Sequence, residues 1–138
     1  MILGGTAGLC FTACTNSGTE NKMNNTSETA DISFGLTADL HYADKGNWNT
    51  RFYRESDEKL RECIDKFNSL KPDFIVELGD FVDKAEKEIE FEYLRTINGI
   101  FNEFEGERHY VLGNHDVGTF SKTEFLNAAG ALLRCSSS

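Results

Sequence analysis

The 138 residues suffice for one domain of ordinary size, and a composition 39% hydrophobic and 12% aromatic can fill a modest core. The formal net charge of −9 argues against nucleic-acid binding, which needs clustered Lys and Arg. A small phosphorylated substrate would be repelled as well, unless the site holds divalent cations, which then become the largest local charges and reverse the local field.

Residues 1–13 are apolar or small, too short a run to span a bilayer, and lead into Phe11-Thr12-Ala13-Cys14. Segment 1–14 resembles a bacterial lipoprotein signal, in which small residues precede a cysteine that is lipidated. The resemblance implies membrane attachment through Cys14 and a place in the bacterial cell envelope, on its periplasmic or surface side; the alternative is cytoplasmic. Residues 15–30, rich in Asn, Ser, Thr and Gly without periodic apolar positions, read as a flexible linker. Cys10, Cys14, Cys63 and Cys135 include no Cys-x-x-Cys pair and no histidine at zinc-finger spacing, which argues against structural zinc.

Folding is expected to begin near Ile32. Ile32, Phe34 and Leu36 alternate with small or polar residues, the period of a strand, which delivers Asp39 and His41 at its end. A loop over 42–50 precedes a helix over 52–70 whose apolar face holds Leu60, Ile64, Phe67 and Cys63, the last as a small buried thiol. Lys71-Pro72-Asp73 stops that helix. The apolar run 74–78, closed by Gly79, predicts a buried strand that delivers Asp80. A second helix over 85–104 places Ile89, Tyr93, Ile97, Ile100, Phe101 and Phe104 on one arc, and Gly106 ends it. Its acidic start, Glu86, Glu88, Glu90 and Glu92, reads as a solvated first turn favoured by the helix dipole. A third strand over 110–112 leads to Gly113-Asn114-His115-Asp116.

The fold class is therefore α/β, with β-α-β-α-β order, a mostly parallel sheet and flanking helices, over residues 31–131; residues 132–138 read as a disordered tail. Parallel strands present their C-terminal ends along one sheet edge, where ligands bind, so Asp39, His41, Asp80 and Asn114 converge. Such oxygen and imidazole donors suit Mn, Fe, Zn or Mg. Asp80, on the strand between the other two in the chain, is the candidate to bridge two divalent ions, an arrangement suited to phosphoester hydrolysis.

Asp39-x-His41, Gly79-Asp80-x-x-Asp83 and Gly113-Asn114-His115-Asp116, in that order, resemble the first three motifs of the calcineurin-like metallophosphoesterases. The stretch from Ala38 to Asp44, followed by Arg51-Phe52-Tyr53-Arg54-Glu55-Ser56, is similar to the manganese-dependent ADP-ribose/CDP-alcohol diphosphatases, although these commonly carry Gln where His41 stands. The resemblance implies a hydrolase with two divalent metal ions and a small phosphorylated substrate, such as a nucleotide diphosphate derivative. It implies that Asp39 and His41 bind the first metal, that Asp80 bridges and that Asn114 binds the second. It further implies that His115, oriented by Asp116, is the proton donor or charge stabiliser at the leaving group.

Asp83 is expected to cap the following helix or to support the ligands from behind. Arg51 and Arg54 can clamp a phosphate bidentately, with surface salt bridges at least as good a reading. His109 reads as a packed strand histidine. The residues after Asp116 contain no histidine, whereas the family supplies further ligands from a later histidine and a Gly-His-x-His motif. The expectation is thus an N-terminal half of the domain with weak metal binding, low or no hydrolysis, and self-association through an uncovered sheet edge. The alternative is a non-catalytic lipid-anchored binding module or an inert fragment.

Overall fold

In a computed structural model, the structure describes residues 11–13 and 32–130. Cys14, the linker 15–30 and the tail 132–138 lie outside the described residues. Strands β1 (Phe11–Ala13), β2 (Phe34–Thr37), β3 (Phe74–Glu77) and β4 (Glu107–Tyr110) form one sheet in that spatial order. β1 runs antiparallel to β2; β2, β3 and β4 are parallel, with Phe34 opposite Phe74 and Phe74 opposite Glu107. The β1 backbone thus lines one edge of β2, within the segment read from sequence as a lipoprotein signal.

Helices α1 (Ser56–Leu70) and α2 (Lys87–Phe101) make the two crossovers and pack on one face of the sheet. Leu60, Cys63, Ile64 and Phe67, three and four residues apart, are the buried stripe of α1. Gly35 of β2 leaves the space that the Phe67 ring fills, since a Cβ there would lie 2.5 Å from the ring. Lys71 closes α1 with a left-handed backbone (φ 52°) and an N–H donated to Phe67 O, and Pro72 prevents continuation. On α2, Leu94, Ile97, Ile100 and Phe101 face inward, with Phe101 5.3 Å from the Tyr110 ring of β4. Ile89, expected on that face, is exposed. On the opposite sheet face Phe34 stacks on Phe74 at 5.6 Å, and both are only half-buried.

Four local expectations change. The first helix begins at Ser56 rather than at residue 52, where the buried Ser56 hydroxyl donates to Leu40 O (2.6 Å) and ties the helix start to the first motif. The second begins at Lys87, and the Glu90 carboxylate reaches back to the Ala85 N–H. The third strand lies earlier than predicted, at Glu107–Tyr110, so Val111 and Leu112 are its exit. Cys63 is buried but disulfide-bonded rather than a thiol. After the third motif come two short helices, α3 (Asp116–Thr119) and α4 (Lys122–Ala128); Ser121 and Glu124 form a reciprocal capping box at the start of α4.

Candidate metal centre

The loops leaving β2 and β3 run side by side beyond the sheet. Asp39 N–H donates to Gly79 O, His41 N–H to Asp80 O, Tyr42 N–H to Phe81 O, and Asp83 N–H to Tyr42 O, at 2.9–3.1 Å. Within this ladder Asp39, His41 and Asp80 adopt positive φ of 54°, 44° and 58°, a conformation uncommon for residues with side chains and concentrated at functional sites. Gly79 (φ 106°) and Gly113 let the second and third loops touch: a Cβ on Gly79 would sit 2.6 Å from Gly113 N, and one on Gly113 would overlap Asp80.

Asp116 locks the loops from below. Fully buried, its Oδ2 accepts from Asp80 N (2.8 Å) and Gly113 N (2.9 Å), and its Oδ1 from Phe81 N (2.9 Å). Burial raises the Asp116 carboxyl above its ordinary range while these amides pull it back. Its oxygens serve the backbone, so the orientation of His115 that the sequence assigned to Asp116 falls to another group. The nearest carboxylate to the ring is Asp83, whose Oδ1 lies 3.0 Å from His115 Nδ1 without a hydrogen bond between them. Asp83 does not cap α2, whose N-cap is Glu86; it sits buried behind the site, bonded through Oδ2 to Lys45 Nζ.

His41 Nε2 stands 3.8 Å from Asp39 Oδ1 and 3.7 Å from Asp80 Oδ2, too far to hydrogen-bond either. Two donors each about 2.1 Å from a common cation are about 3–4 Å apart, so the spacing fits a shared ion. Burial first, and His115 second, depress the His41 pKa, favouring the neutral imidazole whose lone pair a metal requires. One donor atom each of His41, Asp80 and His115 lies within 4.8 Å of the others, and the two imidazoles meet edge to face at 4.7 Å. Asp80 also accepts the His115 backbone N–H through Oδ1 (2.9 Å), leaving Oδ2 toward His41. The donor set therefore suits a divalent cation.

Asn114 is on the third loop beside His115 and is exposed. Arg51 lies close enough to His41 for its charge to lower the imidazole pKa, whereas Arg54 pairs with Asp44 at 2.5 Å on the surface. His109 lies in β4 as expected but is not packed inside: its side chain is 48% exposed, edge-on to Phe74 at 5.4 Å. Under the site Glu77, in β3, is fully buried; its Oε2 accepts from Gly79 N at 2.8 Å, and burial pushes its carboxyl well above the ordinary range.

The calcineurin-like phosphoesterase family model matches residues 32–136. The chain belongs to the calcineurin-like phosphoesterase family. This phosphoesterase domain is 32% identical over 109 residues to the manganese-dependent ADP-ribose/CDP-alcohol diphosphatase of Xenopus laevis, covering 71% of the chain and 30% of that protein. It is 28% identical to the Danio rerio protein of the same name, covering 70% and 33%. A crystal structure of a dimetal phosphatase from Danio rerio superposes with a TM-score of 0.62 at 29% identity, over 70% of this chain and 33% of the other. The phosphoesterase thus spans about a third of the length of these relatives.

Proposed function

We propose that this phosphoesterase binds divalent metal ions at the ends of β2, β3 and β4 and hydrolyses a phosphoester or phosphoanhydride bond in a small substrate of the ADP-ribose or CDP-alcohol kind. The observation that carries the reading is His41 Nε2, an imidazole nitrogen between the Asp39 and Asp80 carboxylates at a spacing that suits a cation and no hydrogen bond. In this reading Asp39 and His41 hold one ion, Asp80 bridges to a second, and Asn114 serves the second. Bound ions supply charge neutralisation for the phosphoryl oxygens and activation of water near neutral pH. His115, backed by Asp83, holds a proton beside the leaving oxygen, and Arg51 faces the phosphate as a cation. The names of the relatives, manganese-dependent diphosphatases, support both metal and substrate class.

Calorimetric titration of the chain with Mn²⁺, paired with turnover of ADP-ribose, tests this reading. Asp80→Asn, with native circular dichroism, should lose metal binding and hydrolysis together; undiminished Mn²⁺ affinity in that variant refutes the bridging role. Lipidation at Cys14 and an envelope location belong to the same reading, supported by the small residues before that cysteine. Labelling of the expressed chain with a radioactive fatty acid, lost in Cys14→Ser, is its check.

A further inference from the structure

Residues 43–54 connect the first motif to α1, and Lys45 of this loop reaches the carboxylate behind the site. Lys45 N–H donates to Ala43 O (2.9 Å) in a tight turn, and its ammonium crosses to Asp83 Oδ2 while lying 4.2 Å over the ring of the buried Tyr53. The ammonium is thus held from two sides, by a carboxylate and by an aromatic face. Asp83 is itself 7% exposed, and its other oxygen is the atom 3.0 Å from His115 Nδ1 and 3.7 Å from His41 Nδ1. The two oxygens belong to one rigid planar group, so whatever fixes Oδ2 fixes Oδ1. Beyond Lys45 the loop folds into a two-residue turn in which Trp48 and Arg51 exchange backbone hydrogen bonds, with the Trp48 side chain exposed.

We infer that Lys45 is a positioning residue: its bond to Asp83 sets the carboxylate that orients His115, so that loop 43–54 and the imidazole are placed as one unit. Resting on the role proposed above for His115, the inference adds a mechanical link from a surface loop to that group. The loop that carries Arg51 toward the phosphate is then in place only when His115 is also aimed.

Trp48 is the chain's one tryptophan and lies in the loop, which makes it a built-in reporter. Lys45→Met keeps an unbranched side chain of similar length and removes the ammonium with its charge. With EDTA and no substrate, we expect Lys45→Met to lower Trp48 fluorescence anisotropy and to broaden or shift the His115 Nδ1 resonance in ¹⁵N-histidine spectra. Lys45→Arg should restore most of both signals. Asp83→Asn should loosen Trp48 as well, and the double variant should go no further than either single one. Arg61→Met, which breaks an exposed pair with Glu103 elsewhere on the surface, should change neither signal. A natively folded Lys45→Met with an unmoved His115 resonance overturns the inference, as does a Trp48 signal that responds to Lys45 but not to Asp83. Should Asp83→Asn fail to fold, the His115 resonance in Lys45→Met decides alone. These readouts need neither metal nor turnover, so a wild-type chain without hydrolysis would defeat the proposed function while leaving the link between Lys45 and His115 measurable.

Discussion

Replacing Asp116 by alanine would leave the backbone N–H groups of Asp80, Phe81 and Gly113 without their acceptor in a buried setting. Each orphaned buried donor costs about 1–3 kcal/mol, so the three together set an upper range of about 3–9 kcal/mol. The loss is reduced because burial of this carboxylate already opposes its charge, as its raised pKa shows, and because water can enter the vacated space. We expect about 4 kcal/mol, a large share of the roughly 5–15 kcal/mol that stabilises an ordinary domain. Asparagine can keep one oxygen toward Asp80 and Gly113 and loses only the bond from Phe81, so about 2 kcal/mol is expected. Urea unfolding followed by circular dichroism, with EDTA throughout, isolates this effect from metal binding. If Asp116→Ala unfolds at the wild-type urea concentration, the residue is not the lock that holds the second and third loops together.

Gly113→Ala should prevent the native site from forming, because its Cβ has no space beside Asp80; a variant with wild-type melting temperature and Mn²⁺ binding would contradict the contact. Gly35→Ala should cost about 1–3 kcal/mol through overpacking on Phe67, and less than half of that in a Phe67→Leu background, as a double-mutant cycle would measure. Glu77 makes stability depend on pH. Its folded pKa is raised above the ordinary 4.5 by burial and then by Asp116, so the folded chain keeps a proton that the unfolded chain releases. That contribution is complete below about pH 4.5 and is lost as pH rises toward the folded value. Urea midpoints from pH 4.5 upward should therefore fall less steeply in Glu77→Gln; identical slopes in the two proteins would show Glu77 to be ionised in its burial site.

The convergence of the side chains at the site was legible because each follows an apolar run closed by a glycine or a small residue, and parallel topology does the rest. Asp39, His41 and Asp80 meet for that reason. The position of β4 was not legible, since Glu107 and Arg108 are charged, and the apolar Val111 and Leu112 that suggested a strand form its exit. Of the two readings of Asp83, the cap fails and the place behind the site holds, since a carboxylate before a helix is ordinarily a cap and only the fold brings Lys45, His41 and His115 around it. Helix α4 could have been found, because Ser121-Lys122-Thr123-Glu124 has the spacing of a capping box.

The left-handed backbone at Asp39, His41 and Asp80 has a consequence for how this chain changes over generations. A side chain in that conformation costs about 1–2 kcal/mol, while glycine there would return part of this by freeing the unfolded chain, a net gain of under about 1 kcal/mol per position. A lineage with no use for a cation would be drawn toward glycine at Asp39, whose side chain is exposed, whereas Asp80 also accepts the His115 N–H and His41 is buried, so glycine at those two would cost stability. Aspartate at position 39 is therefore what stability alone would discard, and a library selected only for thermal resistance should lose it before His41 or Asp80.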